Sequence, residues 1–106
     1  MNKSKSELGQ YFRDLRTQRQ ETLHQVAKGT DIDSPMLSKI ERGERLPTSD
    51  QLKKLAKYYN ISEESLKVKH TAEKILKEFG ASETTYNAIQ IVSEQLIPYA
   101  NKSKKK

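Results

Sequence analysis

Residues 22–43 read TLHQVAKGTDIDSPMLSKIERG, and this stretch decides the fold. Its apolar positions are Leu23, Val26, Ala27, Ile32, Leu37 and Ile40. Val26 and Ala27 give a first short helix an apolar face, and Leu37 and Ile40, three apart, do the same for a second. Ile32 falls between the two, where it can plug the angle at which they meet. Thr22 followed by Gln25 is a capping-box pattern that starts the first helix at Leu23, and that helix is expected to end near Gly29. Asp33 can cap the second helix. Pro35 fits its first turn, where a missing N–H costs nothing, and Gly43 stops it. Ser34, Pro35, Met36, Ser38, Lys39 and Arg42 remain outward, a small, polar and basic face suited to base edges and phosphate.

The flanking sequence continues the helical pattern. Upstream, Ser6 can cap a helix predicted over about residues 7–20, with Leu8, Tyr11, Phe12 and Leu15 as its inward stripe. Downstream, GERLPT at 43–48 forms a loop. Thr48 with Gln51 repeats the capping-box spacing, and the helix it starts runs from about Ser49 to Tyr59, with Asn60 as a left-handed cap. Ser62 caps a fifth helix bearing Leu66, Ala72, Ile75, Leu76 and Phe79, which Gly80 ends. Ser82 opens a sixth, with Tyr86, Ile89, Val92 and Leu96 at helical spacing, and Pro98 is expected to stop it. No internal repeat is visible. Five or six helices without a convincing strand indicate an all-α protein.

Composition narrows the class. The chain has 106 residues, so one domain is the expectation, and at 33% hydrophobic content its core must be small. There are no cysteines, which excludes disulfides and thiolate metal sites. The start carries no apolar signal segment, and no apolar run approaches the roughly 20 residues of a membrane span. A cytoplasmic protein is the economical expectation. The net charge of +6 is supplied by Lys3, Lys5, Lys102, Lys104, Lys105 and Lys106, in tails over 1–5 and 100–106 expected to be disordered. Those lysines either add to DNA affinity or only solubilise the chain. Residues 7–61 hold 10 basic against 8 acidic side chains, and 62–100 hold 4 against 6. That polarity is expected if one end meets nucleic acid and the other protein.

The stretch at 22–43 is therefore read as a helix-turn-helix, and the chain from about Leu8 to Leu66 resembles the phage-repressor/Cro (XRE) family of DNA-binding proteins. The resemblance rests on Leu15-Arg16, on Val26-Ala27 and on Leu37-Ser38-Lys39-Ile40-Glu41-Arg42-Gly43. It continues through Leu46-Pro47, Leu52, Leu55, Ala56 and Tyr59-Asn60-Ile61. The run LSKIERGERLP is highly specific. One position departs from the family, since the turn residue usually held by glycine is Asp31, which accepts a left-handed backbone at some strain. The resemblance implies a five-helix, lambda-repressor-like bundle over 7–66, with its motif at 23–42 and a helical extension at 67–98. The junction falls near 62–70.

In related repressors, base readout comes from the start of the third helix and the position one turn later. Those positions correspond here to Ser34, Pro35 and Lys39; Met36 and Ser38 complete the set. Lys39 either reaches guanine O6 or N7 or makes a phosphate contact without sequence information. Pro35 offers only apolar contact, as to a thymine methyl. Met36 either does the same or turns into the core. So thin a set of hydrogen-bonding groups implies modest direct readout, supplemented by DNA shape. Thr22, His24, Gln25, Arg42, Arg45, Thr48 and Ser49 are candidates for phosphate contact, clustered at helix starts and in the loop after the third helix. Thr22 and Thr48 can also serve purely as caps, and Arg45 as a solvated charge. The resemblance further pairs Arg16 with Glu41 in a partly buried salt bridge. His24 and His70 have no companion ligands at metal spacing, so no metal or other cofactor is expected.

The apolar stripes of 62–97 are too extensive for solvent and too short for an independent domain. They are expected to make a homodimer through Ile75, Phe79, Ile89, Val92 and Leu96; the alternative is that both helices fold back on their own chain. The leading functional expectation is a sequence-specific DNA-binding transcriptional regulator, a dimeric repressor reading an inverted repeat of double-stranded DNA. A second reading is an antitoxin or restriction–modification controller that holds a protein partner through 62–97. A third is an interaction adaptor that does not read DNA. An enzyme is not expected: there is no nucleophile–base constellation and no phosphate-cradling glycine loop, the glycines being scattered at 9, 29, 43 and 80.

Overall fold

A computed structural model describes residues 7–100. The described residues form six α-helices and no strand: α1 (Glu7–Gln18), α2 (Leu23–Thr30), α3 (Ser34–Glu41), α4 (Ser49–Tyr59), α5 (Glu63–Phe79) and α6 (Glu83–Ala100). They fall into two compact units, one reaching to Lys74 and one beginning at Ile75, so the division lies within α5. The tails over 1–5 and 101–106, and the Ser6 cap, lie outside the described residues.

Local chemistry sets most helix ends of the first unit. Thr22 and Thr48 each close a full capping box, with Gln25 and Gln51 returning to the cap backbone. Asp33 accepts from the Met36 amide at 2.8 Å, and Pro35 sits in the first turn of α3. Asn60 takes the left-handed conformation at the end of α4. Helix α1 stops at Gln18, two residues before its expected end, because Gln20 turns left-handed with φ 57°. The Glu21 amide then closes on the Arg16 carbonyl at 3.1 Å, as a glycine-ended helix would.

The core is built where α1 meets α3, α3 meets α2, and α2 meets α4. Leu8 and Phe12 of α1, Val26 of α2, Leu37 and Ile40 of α3, and Leu52 and Leu55 of α4 are all buried. Ile32, in the turn between α2 and α3, is buried as well and wedges their crossing. Each such side chain stabilises the fold by about 1.5–3 kcal/mol. Leu66 of α5 is fully buried in the same cluster. Seven residues further on, Glu73 is also buried, and its Oε2 accepts from the Glu7 amide at 3.1 Å. A carboxylate at a helix N-terminus satisfies an orphan N–H and meets the positive end of the helix dipole.

In the second unit, Ser82 caps α6 by accepting from the Thr85 amide at 3.1 Å. Pro98 does not stop α6, contrary to the expectation from sequence, and the helix runs on to Ala100. Proline removes one backbone donor and crowds the carbonyl four residues back. Both described residues that follow it, Tyr99 and Ala100, remain helical. No residue of α6 is buried.

Candidate nucleic-acid interface

Helix α3 presents one face inward and one outward. Leu37 and Ile40 lock the inner face against the core. Pro35 and Lys39 are exposed, while Ser34 and Ser38 are half-buried. Met36 is half-buried and packs against the hydrophobic core, so of the two places open to it, it lies largely on the inner side. Pro35, Lys39 and the two serine hydroxyls therefore make up the accessible small, polar surface.

A partly buried ion pair holds α3 at its angle. Arg16 Nε donates to Glu41 Oε2 at 2.8 Å and its Nη2 donates to Glu41 Oε1 at 3.0 Å. A third donor, Nη1, reaches the Glu21 carbonyl at 2.9 Å. One guanidinium thus joins α1, the end of α3 and the α1–α2 turn. The side chains are only 15% and 7% exposed, and the bond to Glu41 raises the Arg16 pKa above its ordinary value. Arg19 and Tyr58 were not singled out by the sequence reading, yet they pin the same corner. The Arg19 guanidinium lies 5.0 Å from the Tyr58 ring centroid and 5.2 Å from that of Tyr59, and the Tyr58 hydroxyl donates to Glu21 at 2.8 Å. No short sequence spacing signals these contacts, since 37 residues separate Glu21 from Tyr58.

The loop after α3 folds back onto it. The amides of Glu44 and Arg45 reach the Lys39 carbonyl at 2.9 and 3.4 Å. His70 of α5 lies 2.8 Å from the Pro47 carbonyl, which can only accept, so His70 Nε2 carries the proton. That bond anchors the segment bearing Arg45, Thr48 and Ser49, all three exposed. At the start of α2, Thr22 and Gln25 are committed to each other as caps, and His24 is exposed beside them. In the caps the Thr22 and Thr48 hydroxyl oxygens accept from the Gln25 and Gln51 amides, so each helix start can still offer an anion its hydroxyl O–H beside the backbone N–H groups. Arg42 is exposed but engaged: it forms a two-pronged bond with Glu44 and also donates to Ser38 Oγ. The bond with Glu44 raises the Arg42 pKa and lowers that of Glu44.

In the second unit, three of the five expected interface residues are exposed apolar groups. Ile75 and Ile89 are half-buried, while Phe79, Val92 and Leu96 are exposed, Phe79 to 69%. Tyr86, Ile91, Ile97 and Tyr99 are exposed as well. Among the described residues, no cluster of His, Cys, Asp or Glu is arranged to hold a metal ion. Also among them, no helix is long and apolar enough to cross a membrane.

Two relatives named as uncharacterized HTH-type transcriptional regulators come from Mycobacterium tuberculosis, one from strain CDC 1551 / Oshkosh and one from strain ATCC 25618 / H37Rv. Each is 34% identical to this chain over 61 residues, 58% of this chain and 44% of the relative. The chain thus spans less than half the length of these curated relatives. The family model described as helix-turn-helix matches residues 12–66, just over half of the 106 residues and the whole of α2, α3 and α4. With that match lying over the locked α3 and its polar outer face, the chain belongs to the XRE-type helix-turn-helix family.

Proposed function

We propose that this chain is a DNA-binding transcriptional regulator, and that it acts as a dimeric repressor inserting α3 into the major groove of an inverted-repeat operator. The observation that carries the reading is the division of α3: Leu37 and Ile40 are buried while Pro35 and Lys39 stand free. A rigidly seated helix with a small, basic outer face fits a groove about 12 Å wide. Ser34, Pro35, Ser38 and Lys39 meet base edges, with Met36 contributing at most its exposed edge. His24, Gln25, Arg42, Arg45, Ser49 and the capped starts at Thr22 and Thr48 meet phosphates. The second unit sets the spacing of two half-sites by pairing Ile75, Phe79, Ile89, Val92 and Leu96 with a second copy.

A second reading, in which 62–97 holds a different protein as an antitoxin or restriction–modification controller does, is favoured by one feature. Ile91 is exposed on the side of α6 away from the Ile89–Val92–Leu96 stripe, so a single helix pairing leaves apolar surface uncovered. Selection of binding sites from random duplex DNA at about 150 mM salt tests the first reading. It is expected to return an inverted repeat with half-sites about one helical turn apart, and Lys39→Ala is expected to relax one position per half-site. Recovery of no motif, with binding abolished by salt, overturns sequence-specific regulation.

A further inference from the structure

We infer that Glu44 is a built-in competitor for DNA phosphate on Arg42, so that binding exchanges the Glu44 carboxylate for a backbone phosphate and Glu44 thereby sets the affinity of the whole face. The inference rests on the DNA-binding reading above. Its basis is geometric. Arg42 Nε donates to Glu44 Oε2 at 2.8 Å and Nη2 donates to Glu44 Oε1 at 3.1 Å. This fork-to-fork arrangement is the one guanidinium groups adopt on phosphate, so the carboxylate fills the place that a phosphate takes. Arg42 also donates through Nη1 to Ser38 Oγ, one turn earlier on α3, which holds the guanidinium against the outer face. The Glu44 amide is in turn tied to the Lys39 carbonyl at 2.9 Å. Glu44 is therefore held at the end of the recognition surface, and the positive charge of Lys39 acts on its carboxylate too.

The other carboxylate at this end of α3 behaves differently. Glu41 turns inward to Arg16 and is 7% exposed, whereas the Arg42 and Glu44 side chains are 51% and 53% exposed. An exposed pair of this kind contributes little to folding and opens readily. It does weigh on association. Breaking the ion pair offsets part of what the phosphate contact gains, and once displaced the free carboxylate beside the DNA backbone opposes the phosphate neutralisation that releases the DNA's condensed cations. Both effects lower affinity for any duplex, and both are removed by neutralising Glu44.

The test is a titration of the full chain with random-sequence duplex DNA at salt concentrations of about 50 to 300 mM, comparing wild type, Glu44→Gln, Arg42→Ala and the double variant. Glu44→Gln is expected to bind roughly fivefold tighter, with the slope of log K against log salt steeper by about one. The gain is expected to shrink in the Arg42→Ala background to the part owed to carboxylate–phosphate repulsion alone, and melting temperatures to stay level across the set. Glu44→Ala repeats the test without an amide that could still accept from Arg42. If wild type binds and Glu44→Gln binds no tighter, the competitor role is overturned while the regulator reading stands. An equal gain with and without Arg42 also overturns it, since the effect is then general repulsion. Salt-dependent binding by neither wild type nor Glu44→Gln overturns the regulator reading and the competitor role together.

Discussion

Gln20, Asp31 and Asn60 carry positive φ among the described non-glycine residues, and each ends a helix. Asparagine tolerates this conformation best, so Asn60 suits its place, whereas Asp31 at φ 63° holds the turn between α2 and α3 under strain. Its amide still closes on the Ala27 carbonyl at 2.9 Å, so the geometry of the turn is preserved and only its cost differs. Asp31→Gly is expected to raise unfolding free energy by about 0.5–1 kcal/mol, read from the urea midpoint at unchanged slope. A lower midpoint would mean that the aspartate makes a compensating contribution. Gly9 poses the opposite constraint. A Cβ there would stand 2.6 Å from the Glu41 carbonyl oxygen and closer still to that of Ile40. Both atoms are backbone and cannot swing aside, so Gly9→Ala is expected to cost about 1–3 kcal/mol by pushing α1 off α3. A circular-dichroism melt identical to wild type would refute that close approach.

Among elements, the seating of α3 depends on Arg16 and Glu41. Removing one partner strands the other charge in a site it cannot leave, so Arg16→Ala is expected to destabilise by about 3–5 kcal/mol. On the proposed DNA-binding reading, affinity is expected to fall with it through misplacement of α3. Replacing both partners, as Arg16→Met with Glu41→Leu, is expected to cost less than Arg16→Ala alone, because no charge is then left unpaired. Chemical denaturation of the three proteins side by side tests this ordering. Glu73 works in the same way between elements, satisfying the first amide of α1 from a helix 66 residues away in sequence.

At the scale of the molecule, burial of Tyr59 ties the first unit to a neutral hydroxyl. Desolvation first, and then the nearby carboxylates of Glu41 and Glu21, push its pKa well above 10.0. A group whose pKa is raised by folding supplies stability that is complete below its unfolded pKa and is lost as pH rises beyond it. The melting temperature is therefore expected to fall steadily above about pH 10. In Tyr59→Phe this fall is expected to be shallower, with a change of less than about 1.5 kcal/mol at neutral pH. Equal alkaline slopes in the two proteins would refute the assignment. The second unit has a different test. Leu96 is 52% exposed, so Leu96→Asp is expected to leave the melting of an isolated chain nearly unchanged while abolishing self-association. Sedimentation at micromolar concentration would register the loss. A monomeric wild type, or a variant still dimeric, would count against pairing through this face.

The sequence by itself determined the all-α class, the helix starts and the helix-turn-helix, because each rests on interactions a few residues long. Thr22 with Gln25, Thr48 with Gln51, Asp33 ahead of Pro35 and the apolar spacing of Val26, Leu37 and Ile40 act within one or two turns. The outward residues of α3 were legible for the same reason, since a helical period divides inner from outer positions. Tertiary structure alone decided what distant residues do to one another. It packed Met36 against the core, carried the first unit on to Glu73 and Lys74, and brought Tyr58 onto Glu21. Glu44 stands two residues from Arg42 in sequence, yet it is the fold of the loop that turns its carboxylate onto the guanidinium. Pro98 is the converse case. Its local preference is to break a helix, yet Tyr99 and Ala100 beyond it remain helical. Spacing determines which face a side chain occupies; only the path of the chain in three dimensions decides which partner is waiting there.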